Sequence, residues 1–190
     1  MSAQSPPQPA YISFTASNIS EPAIEKLMAA CCAAVNGGTP GIHLLITTFG
    51  GNVPYGITVF NFLRALPVPV TTYNMGNVAS VGNLLYLGGT RRVASPHSTF
   101  FFHPITFTPA AAPMGRGEMM ENSATIERDT QRILHIVAST TGMGLDRAAE
   151  LHQQENTVDA QEAKGLGVVH EIQAIQIPQG AILHHIMMGS

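Results

Sequence analysis

Tryptophan is absent from this sequence, cysteine occurs twice and charge is sparse, at 11% of 190 residues. With only nine Lys plus Arg against twelve Asp plus Glu, there is no basic stripe to neutralise a phosphate backbone, and no zinc-finger spacing occurs. Nucleic acid is therefore not an expected partner. No stretch reaches the roughly 18 consecutive apolar residues that a membrane-spanning helix needs, and the Met1–Pro9 stretch has neither a positive cluster nor an apolar core, so neither a span nor a secretory signal is expected. Cys31 and Cys32 are adjacent in sequence, and neighbours rarely bridge each other. No disulfide framework is implied, which fits a reducing compartment and a cytoplasmic location. There is no G-x-x-x-x-G-K-[ST] phosphate loop and no H-E-x-x-H metal motif. Two adjacent histidines near the end, His184 and His185, do not by themselves make a metal site, so no cofactor and no metal are expected.

What is present is apolar: 45% of the residues are hydrophobic, enough for one sizeable core in a chain of this length. So apolar a composition with so few charges points to surface buried between subunits, hence to a homo-oligomer. Residues 1–10, rich in Pro, Gln and Ser, read as a mobile tail, residues 11–177 as one domain, and residues 178–190 as a second tail.

Within the domain, strand-like and helix-like segments alternate. Tyr11–Thr15 is a short strand, and Ser20-Glu21-Pro22 opens a helix carrying Ile24, Leu27, Met28, Cys31 and Val35 at helical spacing. Ile42–Thr48 is an almost continuously apolar strand of the kind covered on both faces. A helix follows to about Leu66, then short strands at Val70–Tyr73, Arg91–Ala94 and Thr99–Phe102. Residues 104–118 read as a Pro/Ala/Gly-rich loop, and a long helix from about Glu118 to Thr141 projects Met119, Ile126, Ile133, Ile136 and Val137 near one side. A shorter helix at Leu145–Gln153, a helical turn ending at Gly165 and an apolar strand over Gly167–Ile177 complete an α/β domain with right-handed crossovers.

Three strand ends carry polar or turn-forming residues that a sheet would bring to one edge. Gly50 and Gly51 follow the first long strand, Ser80 sits in the turn Gly76–Gly82 directly before the apolar helix Leu84–Leu87, and His103 ends the run Thr99–Phe102. A serine before an apolar helix is most simply an N-cap. At a strand-to-helix turn it is also how a nucleophile is presented, beside backbone N–H groups able to stabilise a developing anion.

The run I-T-T-F-G-G, the serine turn N-V-A-S-V-G-N-L-L, the F-F-H-P after it and the E-A-K-G-L-G-V-V near the end resemble the proteolytic subunit of the Clp protease. This is a compartmentalised serine peptidase in the fold group that includes the crotonases. The likeness extends over about residues 11–173, with motifs in order and at near-matching intervals, 29 positions from Gly51 to Ser80 and 23 from Ser80 to His103. It implies a superhelical core of repeated ββα-type units with a long projecting helix, and an endopeptidase acting through an acyl-enzyme inside a chamber of stacked rings. Carried over by residue, it implies Ser80 as nucleophile, His103 as general base, the N–H groups of Gly51 and Val81 as the oxyanion hole, and a substrate strand laid beside Gly50 and Gly51. The third member is implied at Glu155, where the family has aspartate, with Asn156 or Asp159 in its place if the register differs. The implied substrate is a peptide or unfolded protein. Because the first core strand begins near residue 11, the longer N-terminal segment of the family's axial pore loops is expected to be absent or replaced by the Pro-rich tail, which weighs against docking to an ATP-dependent unfoldase. Two other readings stay open: a crotonase-like acyl-CoA enzyme, and a scaffold subunit that keeps the fold without activity.

Overall fold

The computed structural model describes residues 8–107 and 114–189; the first seven residues of the expected N-terminal tail, residues 108–113 of the expected loop and Ser190 lie outside them. In chain order the elements are β1 Ala10–Ala16, α1 Glu21–Asn36, β2 Ile42–Thr48, α2 Val53–Ala65, β3 Val70–Ala79, α3 Gly82–Leu87, β4 Arg91–Ala94 and β5 Thr99–Phe102. They continue with α4 Arg116–Thr141, α5 Leu145–Gln153, β6 Asn156–Asp159, α6 Ala160–Gly165, β7 Glu171–Ile172 and β8 Leu183–Met188. Alternation of apolar strands with amphipathic helices produces one sheet in the order β6-β5-β3-β2-β1-β8, with β4 also paired to β3 and β7 to β4. Every pairing is parallel except β5 with β6.

Both faces of the central strands are covered, which is why β2 is nearly continuous in apolar residues. On one face Ile12, Phe14, Leu44, Ile46 and Val78 join Leu27, Val59, Leu63 and Leu85 of α1, α2 and α3 in the main core. On the other, Tyr11, Leu45, Tyr73 and Val93 form a smaller cluster against Ile175 and Ala181. His43 lies on this second face, stacked 4.5 Å from the Tyr11 ring with its Nδ1 2.7 Å from the Tyr73 hydroxyl, as a satisfied sheet residue.

The strand that matters most for the site is β3, which runs to Ala79 where the sequence suggested an end at Tyr73. Its register against β2 passes from Ile46↔Asn74 to Thr48↔Val78, so two extra residues bulge out around Met75–Asn77. Before the bulge β3 pairs with β4, after it with β5. The Asn74 side chain spans the irregularity, accepting from the Gly76 N–H at 3.0 Å and donating to the Thr99 carbonyl at 2.8 Å. A bulge bends its strand and re-aims the residues after it; here it carries the chain across to β5 and delivers Ser80 beside it. Polar Asn74-Met-Gly-Asn77 hid this in the sequence.

Three further expectations need correcting. The segment 178–190 is not wholly a tail, because β8 pairs in parallel with β1 from Tyr11↔Leu183 to Ala16↔Met188. The apolar run Gly167–Ile177 contributes only the two-residue β7, since Val168 and Val169 are buried in a turn rather than a strand. The polar β6, which the sequence did not suggest, pairs antiparallel with β5.

Helix α4 is the long element foreseen, at 26 residues. Only Leu134 and Val137 are buried, both in its C-terminal half, while Met119 and Met120 in the first turns are 56% and 63% exposed. Its C-terminal end is fastened by buried Arg92, which donates to the carbonyls of Thr140, Gly167 and Val168. Among the described residues no helix is long and apolar enough to cross a membrane.

Candidate active site

Ser80 follows the last residue of β3 with φ of 56°, a left-handed backbone that a non-glycine residue adopts only where its surroundings hold it. Its N–H donates to the Phe101 carbonyl at 2.8 Å, extending the β3–β5 pairing by one bond. Its carbonyl accepts from the Asn83 N–H at 3.0 Å and the Asn83 Nδ2 at 2.9 Å, and the same Nδ2 reaches the Phe101 carbonyl at 2.8 Å. Asn83 is buried, so this amide pins the turn and β5 together. The N-cap of α3 is Val81, with no side-chain capping bond, and the Ser80 hydroxyl has no hydrogen-bond partner among the described residues. Ser80 is therefore not a capping residue; its Oγ is unengaged.

Gly50 and Gly51 sit against this turn. A Cβ at Gly50 would lie 2.5 Å from the Ser80 Cβ, and its φ of 102° is open to glycine and little else. Gly51 forms an isolated parallel bridge with Ile19: the Ile19 N–H donates to the Gly50 carbonyl at 2.6 Å and the Asn52 N–H to the Ile19 carbonyl at 3.1 Å. In such a bridge the groups flanking Gly51 are used, while its own N–H and C=O point away from Ile19. One edge of the glycine segment is thus occupied by the chain itself and the other is left for pairing.

His103 directly follows β5. Its ring lies 5.2 Å from that of Phe101 and nearly parallel to it, and its Nδ1 is 2.6 Å from the Pro104 carbonyl. A carbonyl can only accept, so Nδ1 carries the proton and Nε2 is the basic nitrogen. Ser80, His103, Gly51 and Val81 all line one cavity of about 430 Å³, walled by apolar residues of α4 such as Ile126 and Ile133. No hydrogen bond joins Ser80 to His103, a looseness common before substrate is bound.

The carboxylate side is less convergent. The last rung of the β5–β6 ladder is Phe102↔Asn156, so one rung further would set Glu155 opposite His103. Glu155 has φ of 47°, is exposed, makes no side-chain hydrogen bond among the described residues and is not part of the cavity lining. Asn156 is in the ladder, and the Asp159 carboxylate caps α6, accepting from the N–H groups of Gln161 and Glu162, both at 2.8 Å.

His152 was not singled out from the sequence. It is buried on α5, lines the same cavity and has no partner for Nε2 among the described residues. Burial holds its pKa below the ordinary histidine value, and the His103 imidazole adds to this. Its signal was spacing: Ala148 and His152, one helical turn apart, share the apolar face of α5. Asn83 was hidden because an asparagine among Leu84–Leu87 resembles a break in an apolar run rather than a clamp. Among the described residues no group of three or more His, Cys, Asp or Glu is placed to hold a metal ion.

An α/β sheet whose bulged strand ends on an uncapped, left-handed serine, with a histidine on the neighbouring strand end, defines the class of fold and site. Comparison with known proteins then gives the family. Residues 10–176 match the family model described as Clp protease, and the chain belongs to that family. It is similar to an ATP-dependent Clp protease proteolytic subunit 2 of Corynebacterium diphtheriae, 31% identical over 144 residues, covering 74% of this chain and 70% of that one. A subunit 2 of Corynebacterium glutamicum is 29% identical over 175 residues, 90% of this chain and 84% of that one. A proteolytic subunit of Chlorella vulgaris is 29% identical over 135 residues, and the match spans 65% of that protein's length. The fold is shared with the solved structure of a point mutant of ClpP1 from Listeria monocytogenes, with a TM-score of 0.72 at 22% identity over 88% of this chain and 91% of that one.

Proposed function

We propose that this chain is a serine-type endopeptidase in which Ser80 is the nucleophile and His103 the general base. The observation that carries this is the non-capping Ser80 hydroxyl, held by a left-handed backbone on the cavity that His103, Gly51 and Val81 also line. A neutral hydroxyl attacks an amide poorly; with Nε2 unprotonated, the imidazole takes the Oγ proton as the C–O bond forms and returns it to the departing amine nitrogen as C–N breaks. No intramolecular hydrogen bond uses the Gly51 or Val81 N–H among the described residues, which leaves both for the oxyanion. A peptide or unfolded protein would add as a strand along the open edge of Gly51, which favours sequence-tolerant, backbone-driven binding. The exposed Met119 and Met120 of α4 support self-association into an enclosing oligomer. The two cysteines, both free thiols, support a reducing, cytoplasmic setting.

The test is covalent labelling with a fluorophosphonate alongside hydrolysis of a fluorogenic peptide. Wild-type protein should be modified at Ser80, and Ser80→Ala should lose the label and at least ~10³-fold of the peptidase rate. Unlabelled protein in its assembled state, or hydrolysis indifferent to Ser80→Ala, overturns the reading.

A further inference from the structure

We propose that His152 selects the substrate residue that contributes the attacked carbonyl and favours tyrosine there, an apolar-bodied side chain whose neutral hydroxyl reaches the buried imidazole. This rests on the peptidase reading, with Ser80 as nucleophile. Once the attacked carbon is at Ser80 Oγ and its oxygen at the N–H groups of Gly51 and Val81, the side chain on the adjoining Cα is the first to enter the cavity that these residues border.

At about 430 Å³ the cavity has room for a large side chain, and Leu84, Phe102, Ile126, Ile133 and Val137 give it apolar walls. An aromatic side chain gains by burial there. Into this lining α5 brings one polar group. Of the three residues that α5 buries, Ala148 and Leu151 are apolar, while His152, 8% exposed, carries an Nε2 without a partner among the described residues. Among the described residues three buried side-chain polar atoms lack a partner; two belong to cavity-lining residues, Asn83 and His152, and the third, the Tyr86 hydroxyl, does not. Asn83 is already fixed through its Nδ2 to the carbonyls of Ser80 and Phe101. A buried polar group left unpaired is costly until something completes it, and the cavity brings substrate beside His152.

Charge narrows what can complete it. Burial, and then His103, hold the His152 pKa below the ordinary histidine value, so at neutral pH the ring is uncharged, with one nitrogen donating and the other accepting. An ammonium or guanidinium on the substrate would lose its hydration against apolar walls. A carboxylate would suffer the same loss and also meet Asp129, which lines the cavity with its Oδ1 2.9 Å from Arg132. A neutral tip remains. A phenol hydroxyl both donates and accepts, so it suits Nε2 in either tautomer, and its ring matches the apolar walls. Without a partner in the cavity the order would be the opposite, because an unpaired hydroxyl is costly to bury and phenylalanine would be preferred. The sign of the Tyr/Phe preference therefore isolates the contact.

The experiment compares two fluorogenic peptides, identical except for Tyr or Phe before the leaving fluorophore, with the assembled full-length protein. In the wild type kcat/KM should be at least ~3-fold higher for the Tyr peptide, as one neutral hydrogen bond gives, and in His152→Leu that preference should be lost or reversed. Equal rates or a Phe preference in the wild type, or a Tyr preference that survives His152→Leu, overturns the proposal. The ratio is taken within each protein, so a general loss of rate does not enter it. A second measurement needs neither turnover nor a variant at 152: to Ser80→Ala protein, a product-like peptide ending in Tyr should bind at least ~3-fold tighter than the same peptide ending in Phe. Equal or reversed affinities overturn the proposal. Failure of wild-type labelling at Ser80 would instead sink the peptidase reading, and the binding ratio would still report whether the cavity holds a partner for the hydroxyl.

Discussion

Among the described residues two non-glycine positions have a left-handed backbone, Ser80 at φ 56° and Glu155 at φ 47°, and their surroundings differ sharply. Around Ser80 the conformation is over-determined: Gly50 packs against it, Asn83 clamps its carbonyl, and β5 takes its N–H. Around Glu155 there is solvent on the side-chain face and no such clamp. Backbone strain of this kind costs on the order of 1–3 kcal/mol and persists where packing enforces it. At Ser80 the enforced conformation lifts a hydroxyl clear of the capping role that an ordinary serine would take. At Glu155 the same conformation turns the chain from α5 into β6. The shape of a turn thus says little about function until the groups that hold the turn are known.

The contrast can be broken most sharply at Gly50. Gly50→Ala forces a Cβ to within 2.5 Å of the Ser80 Cβ at a φ of 102°, so it should lower stability by about 2–4 kcal/mol, combining left-handed strain with overpacking. Urea unfolding would show this, and a loss below about 1 kcal/mol would mean that the serine turn is not held as described.

A smaller effect is expected from acidification. His152, His43 and His170 are each held below the ordinary value of 6.5, first by burial and then by His103 for His152, by Arg91 for His43, and by Arg92 and Arg91 for His170. Below pH ~6.5 the unfolded chain takes up protons that the folded chain does not, so stability should fall as pH drops through that window and level off above it. Denaturation midpoints at pH 7.5 and 5.5 test the sign. In His152→Leu the slope should shallow, because the cavity loses a buried imidazole whose charged form burial and His103 both disfavour; an unchanged slope would place the pH dependence elsewhere.

The smallest effect belongs to the other turn. Glu155→Gly removes left-handed strain but adds freedom to the unfolded chain, so the net change should be a stabilisation between zero and about 1 kcal/mol. Destabilisation beyond about 1 kcal/mol in a thermal melt would show that the Glu155 side chain holds something, and would erase the contrast with Ser80.

Much of the framework was legible because burial on both sides leaves a chemical trace. Ile42–Thr48 read as a covered strand and is β2, and Ser20-Glu21-Pro22 marked the start of α1. Elements with polar composition left no such trace. β6, Asn156–Asp159, holds one buried apolar residue, and β8 carries two histidines, so both depend on a neighbouring strand rather than on their own pattern. Gly50, Gly51, Ser80 and His103 were legible as candidates because each sits at a turn or strand end whose composition is unusual, whereas Val81 was reached only through the family resemblance. His152 and Asn83 were not, since an isolated polar residue on an apolar stretch looks the same whether it faces a cavity or is merely tolerated.

By itself, the sequence determined the order of strands and helices from β1 to α5, the apolar faces and the short turns rich in glycine, because those come from local sterics and from the periodicity with which apolar side chains must be hidden from water. Only the tertiary structure decided that β3 bulges after Asn74 and crosses to β5, that Ile19 occupies one side of Gly51, and that Nδ1 of His103 meets a carbonyl of its own chain. Such placements depend on distances between segments far apart in sequence, or on a ring torsion chosen among several, and no local pattern encodes either.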